Sequence, residues 1–141
     1  MKNDLIALID KFFLEHYKSF FENLNALAAE NERVSYREYT ICDLIERHPG
    51  CNLSFIAERL EVSNSAITQQ INSLLKKNYV SKTSIQSDKR NKGLNITDKY
   101  KTLVDRANHM IFDRLYDRLS ERERESFYKI LKKSLERTDE I

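Results

Sequence analysis

A mainly α-helical chain with one small β-hairpin is what the sequence predicts, and three observations predict it. Only two Gly and one Pro occur in 141 residues, a composition that favours long helices joined by short turns. Apolar residues recur at the spacing of a helix face over most of the length and alternate at the period of a strand only between 79 and 97. Ser, Thr or Asn stands just before five of the helical segments, where its side chain can cap free backbone N–H groups.

The first helix is expected over 4–29. Leu5, Ile9, Phe12, Tyr17, Phe20, Leu24 and Leu27 follow one face. Ile6, Leu8, Phe13 and Phe21 widen that face beyond what one small core covers, so part of it is expected to pack on another chain. Ser35-Tyr36-Arg37-Glu38 is a capping box that opens a second helix over 36–47, with Tyr39, Cys42, Leu44 and Ile45 inward; His48-Pro49-Gly50 stops it. Asn52 caps a short helix carrying Ile56, Ala57 and Leu60. Glu61-Val62 makes the turn, and Ser63 caps the next helix, whose Ile67, Ile71, Leu74 and Leu75 face the core. Lys77-Asn78 ends it, Asn being the residue after Gly that best tolerates a left-handed cap. Residues 79–85 and 92–97 are expected as strands around a tip at 86–91. Thr97 caps a helix over 98–118, with Leu103, Ala107, Met110, Ile111 and Leu115 periodic. Ser120-Glu121-Arg122-Glu123 is a second capping box, opening a final helix expected to bury Phe127, Ile130, Leu131 and Leu135.

Chemistry concentrates between 63 and 97. The outward face of the helix after Ser63 is Asn64, Ser65, Thr68, Gln69, Asn72 and Ser73, and no charged residue occurs from Val62 to Leu75. Small and amide side chains of this kind can meet a base edge without carrying unpaired charge into a groove. Net charge is only +2, but its distribution is uneven. Residues 1–62 hold 7 basic and 11 acidic groups, whereas 63–93 hold Lys76, Lys77, Lys82, Lys89, Arg90 and Lys92 against Asp88 alone. A basic surplus on this helix and hairpin is where phosphate contacts would supply affinity.

Other classes are disfavoured. There is no Gly-rich phosphate loop, no HExxH, no GxSxG and no carboxylate cluster with a partnered His, so no enzyme is expected. No apolar run approaches the ~20 residues that span a bilayer, and the basic surplus lies on a hairpin rather than an amphipathic helix, so no membrane partner is expected. Asp10 and Lys11 interrupt any signal-peptide pattern, and a cytoplasmic location is the expectation. Cys42 and Cys51, nine apart, form neither a disulfide framework nor a zinc-ribbon spacing.

The helix-turn-helix pattern Ile56-Ala57-x-x-Leu60-x-Val62-Ser63, followed by Ile67-Thr68 and Leu74, stands in register with a hairpin pattern at Asp88, Arg90, Leu94, Ile96 and Thr97. With one long helix before and two after, the chain resembles the MarR (multiple antibiotic resistance regulator) family of winged-helix transcription factors over essentially its whole length. The resemblance implies a winged helix-turn-helix at 35–97, with a dimerisation helix at 1–34 and C-terminal dimerisation helices at 98–141, intertwined as one structural domain. It also implies a homodimer on a pseudo-palindromic double-stranded DNA operator, half-sites ~10 bp apart, acting as a repressor that an effector releases. No cofactor is implied. A winged helix used for protein–protein contact alone is the alternative, and binding that persists at raised salt would favour it.

On that pattern Asn64, Ser65, Thr68, Gln69 and Asn72 are expected to read bases, and Ser63 to cap and meet phosphate. Lys82, Lys89 and Lys92 are expected on phosphates. Arg90 resembles the family's wing-tip arginine, which enters the minor groove, and Asp88 is expected to hold the hairpin and aim it. The chain departs from the pattern at several positions. Glu61 and Asn78 stand where many members have Gly, as does Tyr100. Gln69 stands where many have Arg, and its amide suits the adenine edge, which implies half-sites rich in A·T.

The effector is less legible. Tyr17, Phe20, Phe21 and Phe112 are the candidates to line an apolar pocket for a small aromatic or acyl molecule, with plain core packing the favoured alternative for any one of them. Cys42 falls on an inward face and is expected to be inert. Cys51, just before a helix N-terminus, is the position where a lowered thiol pKa could arise. His109 and Asp113 share a helical face, and Glu15-His16 lies on the first helix, but one His–carboxylate pair does not make a metal site and none is assigned.

Overall fold

A computed structural model describes residues 1–85 and 88–136, the side chains of 84–92 excepted. The order is α1 (Lys2–Leu27), a 3-10 turn (Glu30–Glu32), α2 (Tyr36–Arg47), α3 (Leu53–Arg59), α4 (Asn64–Lys76), β1 (Val80–Ile85), β2 (Asp88–Ile96), α5 (Asp98–Arg118) and α6 (Glu121–Glu136). It is the predicted mainly α fold with one antiparallel hairpin, a winged helix flanked by long helices. The strand limits differ from expectation. β2 begins at Asp88, not 92, because the pairing skips from Ser84↔Lys92 to Ile85↔Asp88 and leaves three residues of β2 bulged within the strand.

The local stops and starts are made by side chains within one turn of each other. Glu38 N–H donates to Ser35 Oγ at 3.1 Å, and Ser35 N–H donates to Glu38 Oε1 at 3.3 Å, completing the first capping box. Ser120 and Glu123 repeat the arrangement at α6. Asn52, Ser63 and Thr97 each accept a backbone N–H from one turn on, from Phe55, Ala66 and Tyr100. Glu61 and Asn78 are both left-handed, with φ of 55° and 60°, at two of the three positions where the pattern of the resemblance favours Gly. The turn therefore keeps its geometry and Glu61 carries the strain, about 1 kcal/mol.

One core joins Phe20 and Leu24 of α1 to Ile41, Cys42 and Ile45 of α2, Ile56 of α3, Ile67, Ile71 and Leu74 of α4, Leu94 of β2 and Ala107 of α5. α1 lies along α5, and α3 packs on α4. The hairpin root is tied to the α2–α3 loop: Gly50 N–H donates to the Leu94 carbonyl and Leu94 N–H to the Cys51 carbonyl, each at 2.8 Å. Gly50 itself has φ +82°. At Gly93 a Cβ would stand 2.8 Å from the Gly50 oxygen, so only Gly lets the two strands of backbone approach this closely.

The final helix departs from expectation. α6 buries no residue within the chain, and Ile130, Leu131 and Leu135 are exposed, as are Leu5, Ile6, Leu8, Ile9, Phe12 and Phe13 on α1. The period of α6 is real, and Phe127 is half-buried beside Leu115 and Leu119 at the end of α5, but none of the described residues of α6 is fully buried.

Candidate nucleic-acid interface

α4 divides cleanly. Ile67, Ile71 and Leu74 are buried, whereas Asn64, Ser65, Thr68, Gln69 and Asn72 are all exposed. The five predicted readers therefore share one open surface, because residues three and four apart return to the same side of a helix.

Their side chains are not equally free. Asn64 donates its amide to Ser54 Oγ at 3.2 Å, joining the N-termini of α3 and α4. Thr68 donates to the Asn64 carbonyl at 2.7 Å, one turn back. Ser65 and Ser63 share a hydroxyl–hydroxyl bond at 3.1 Å. Gln69 and Asn72 have no side-chain hydrogen bond among the described residues, so their donors and acceptors are available to a ligand. Ser54, which periodicity alone did not single out, shares this surface through its bond to Asn64.

Lys82 is exposed on β1. Asp88, Lys89, Arg90 and Lys92 fall on β2, and their side chains lie outside the described residues. Lys77, counted in the basic surplus, is not a surface charge. Its Nζ donates to Glu38 Oε2 and to the Arg33 carbonyl, both at 2.7 Å, and the two side chains are only 12% and 10% exposed. That charge is spent inside the fold.

The four aromatic residues read as an effector pocket fall into two groups. Phe20 is buried, and Phe20 and Phe21 pack with Tyr39, with ring centroids 5.2–5.4 Å apart. Phe112 instead meets His16 at 5.2 Å, and Tyr17 reaches the same His16 at 6.1 Å. Two cavities lie near them. One of about 570 Å³ between α2 and α5 is lined by Tyr39, Glu46, Tyr100, Val104, Asp105 and Asn108, among others. Another of about 380 Å³ between α1 and α5 includes Phe12, His16, Ile111 and Arg114. Neither is lined by any of the four.

Burial pushes the Cys42 thiol up to about 12, in keeping with an inert core residue. The Cys51 thiol is also raised by burial, which corrects the expectation of a lowered value: desolvation outweighs the backbone hydrogen bond that favours the thiolate. Burial likewise raises the Tyr100 hydroxyl, with Cys42 beside it. His109 bridges Asp105 and Asp113 at 3.6 and 3.4 Å, and no group of three metal-ligating side chains occurs among the described residues. No described helix is long and apolar enough to cross a membrane.

Residues 34–92 match the MarR family. Over its whole length the chain is similar to Streptococcus pneumoniae FabT in complex with DNA, with a TM-score of 0.67, 20% identity and 99% of each chain covered. It is similar to the YusO protein from Bacillus subtilis at a TM-score of 0.67 and 24% identity, covering 96% of this chain and 94% of that one. A mutant of S. aureus MepR bound to an oligodeoxyribonucleotide matches at 0.62 and 22% identity, with 98% of each chain covered. No curated protein matches the chain. At these identities the likeness is one of fold.

Proposed function

From a chain whose residues 34–92 carry the MarR-family match and whose whole length takes the winged-helix fold, we propose a DNA-binding transcriptional regulator. The finer reading is a homodimeric repressor that binds a pseudo-palindromic double-stranded operator by sequence and leaves it when an effector binds. The observation that carries the DNA role is the uncharged, exposed polar face of α4, backed by a buried apolar face that fixes its rotation. Two of the solved structures it resembles are DNA complexes, which supports the same partner.

In this reading Gln69 and Asn72, with unengaged amides, contribute most of the direct base contacts. Thr68 and Asn64 read with whatever acceptor capacity their internal bonds leave, and Ser63 and Ser65 meet phosphate. Lys82, Lys89 and Lys92 hold phosphates, and Arg90 enters the minor groove under the aim of Asp88. A second copy covers the exposed apolar faces of α1 and α6, which are larger than scattered surface hydrophobes account for. In this reading the effector binds the α2–α5 cavity, which joins a helix of the DNA-reading lobe to one of the long flanking helices.

Fluorescence anisotropy of the protein on its own upstream intergenic DNA against scrambled DNA, at two salt concentrations, tests the reading. Tight binding that prefers the native fragment and weakens with salt is expected. Binding to neither DNA at low salt, by protein freed of ligand through refolding, would instead favour a protein-interaction module. Within a positive result the roles separate. Gln69→Ala should relax discrimination at one base pair by about 1–3 kcal/mol, whereas Arg90→Ala should weaken all sequences and flatten the salt slope. Equal loss on every sequence for both variants would contradict this division.

A further inference from the structure

The C-terminal end of α4 is held by a buried polar junction that none of the DNA-reading residues explains. Lys77, the residue that caps this end, donates Nζ to Glu38 Oε2 and to the Arg33 carbonyl, each at 2.7 Å. Glu38 Oε2 also accepts from Ser73 Oγ at 3.4 Å, one turn back along α4, while its Oε1 closes the α2 capping box. From the other side Lys99 of α5 donates to the Lys77 carbonyl at 2.9 Å and to Glu32 Oε1 at 2.8 Å. The linker between α1 and α2 is fastened as well. Asn25 donates to the Val34 carbonyl and accepts its N–H, at 3.1 and 2.8 Å, and the Tyr79 hydroxyl donates to the Glu32 carbonyl at 2.7 Å. The Glu38–Lys77 pair thus joins α2 to α4 directly, Lys99 ties α5 to the Lys77 carbonyl and to Glu32, and Asn25 fastens α1 to the same linker.

A buried ion pair is a poor device for stability, because desolvation offsets most of its Coulombic gain and apolar replacements of similar size are often tolerated. It is a good device for geometry. The carboxylate and the carbonyl fix the direction of two of the three ammonium donors, so the end of α4 is held in one position against α2 and the α1–α2 linker, with Lys99 tying α5 to the same end. Leverage makes that position matter. A helix of 13 residues is about 20 Å long, so a tilt of ~10° about its C-terminal end moves the N-terminal end by about 3.5 Å. That is one base-pair step, ~3.4 Å.

We infer that Glu38 and Lys77 are positioning residues that set the separation between the two DNA-reading helices of the dimer, and through it the half-site spacing the protein accepts. The inference rests on the dimeric DNA-binding reading above. It concerns neither base contacts nor folding, and Lys77 touches no DNA.

The test uses operators selected by the wild-type protein from a random library, rebuilt with the half-site separation changed by one base pair in either direction. The wild type should prefer its own separation by roughly tenfold or more, since a displaced half-site costs contacts comparable to a mismatched base pair. The double variant Glu38→Gln with Lys77→Met removes the pair without leaving a lone buried charge. It should keep its base preferences within each half-site but lose spacing preference to about threefold or less, a change a merely stabilising pair would not produce. Lys99→Met, at a partly exposed site that leaves the ion pair in place, should lower the preference by a smaller amount in the same direction. A folded double variant with the wild-type spacing preference overturns the inference alone. So does an unfolded double variant together with an unchanged preference in Lys99→Met. A wild type that binds no DNA, or has no preferred separation, removes the underlying reading and the inference with it.

Discussion

The lobe from 34 to 97 and the two helical arms differ in what happens to their large apolar side chains. In the lobe Ile56, Ile67, Ile71, Leu74 and Leu94 are all 2% exposed or less, whereas on the arms Leu8, Ile130 and Leu135 are 61–66% exposed. Both regions have the helical period that usually signals a buried face. The difference shows that periodicity reports how a helix would be buried, not by what. In the lobe the covering element lies within 60 residues of the same chain. No residue of α6 is buried among the described residues, and a second copy would cover its apolar face in the proposed dimer.

Substitutions on either side of this contrast should act on different quantities. The largest effect is expected in the lobe: Ile71→Ala leaves a cavity among fully buried neighbours and should cost about 2–5 kcal/mol in urea denaturation. Ile130→Asp on α6 should barely alter the lobe's near-ultraviolet signal but weaken self-association by roughly 3 kcal/mol, about a hundredfold, in sedimentation equilibrium. A variant that remains dimeric at that site would erase the distinction between lobe and arm. pH sharpens the contrast from the lobe's side. Below pH 9 the Cys42 thiol is neutral folded and unfolded; between its ordinary value of 9.0 and about 12 only the unfolded chain ionises. Stability should therefore fall as pH rises through that window, by up to ~1.4 kcal/mol per unit, and Cys42→Ala should flatten the slope. The smallest effect is a gain: Glu61→Gly relieves a left-handed residue at an exposed turn and should raise stability by about 1 kcal/mol, seen as a higher Tm.

What the sequence made legible was whatever a residue does within one turn of itself. The capping boxes at Ser35 and Ser120, the caps at Asn52, Ser63 and Thr97, and the left-handed Asn78 all depend on contacts three or four positions away. The polar face of α4 was readable for the same reason, since helical phase alone sorts Gln69 from Ile67. Interactions between distant segments were not readable. Lys77 entered a tally of basic charge because nothing near it in sequence announces Glu38, 39 residues away. Cys51 stood next to a helix start, but the hairpin backbone that buries it arrives more than 40 residues later. Asn64 looked as open as Gln69, and only the fold shows that its amide N–H already donates to Ser54, ten residues back. The aromatic residues of α1 divide between two clusters, because Tyr39 takes Phe20 and Phe21 while His16 meets Phe12 and Tyr17.

The contact between Gly93 and Gly50 makes the hairpin a lever with a fixed fulcrum. Two backbone hydrogen bonds at 2.8 Å join its root to residues 50 and 51, and there is no side chain at 93 to cushion or slide in the joint. A pull on the hairpin is therefore not absorbed at its base. It is delivered as a torque to Pro49-Gly50 and on to the end of α2, whose Ile45 and Cys42 are packed in the core and whose Glu46 lines the α2–α5 cavity. In the proposed reading, load on the outermost part of the molecule and an effector in that cavity would both bear on the same helix.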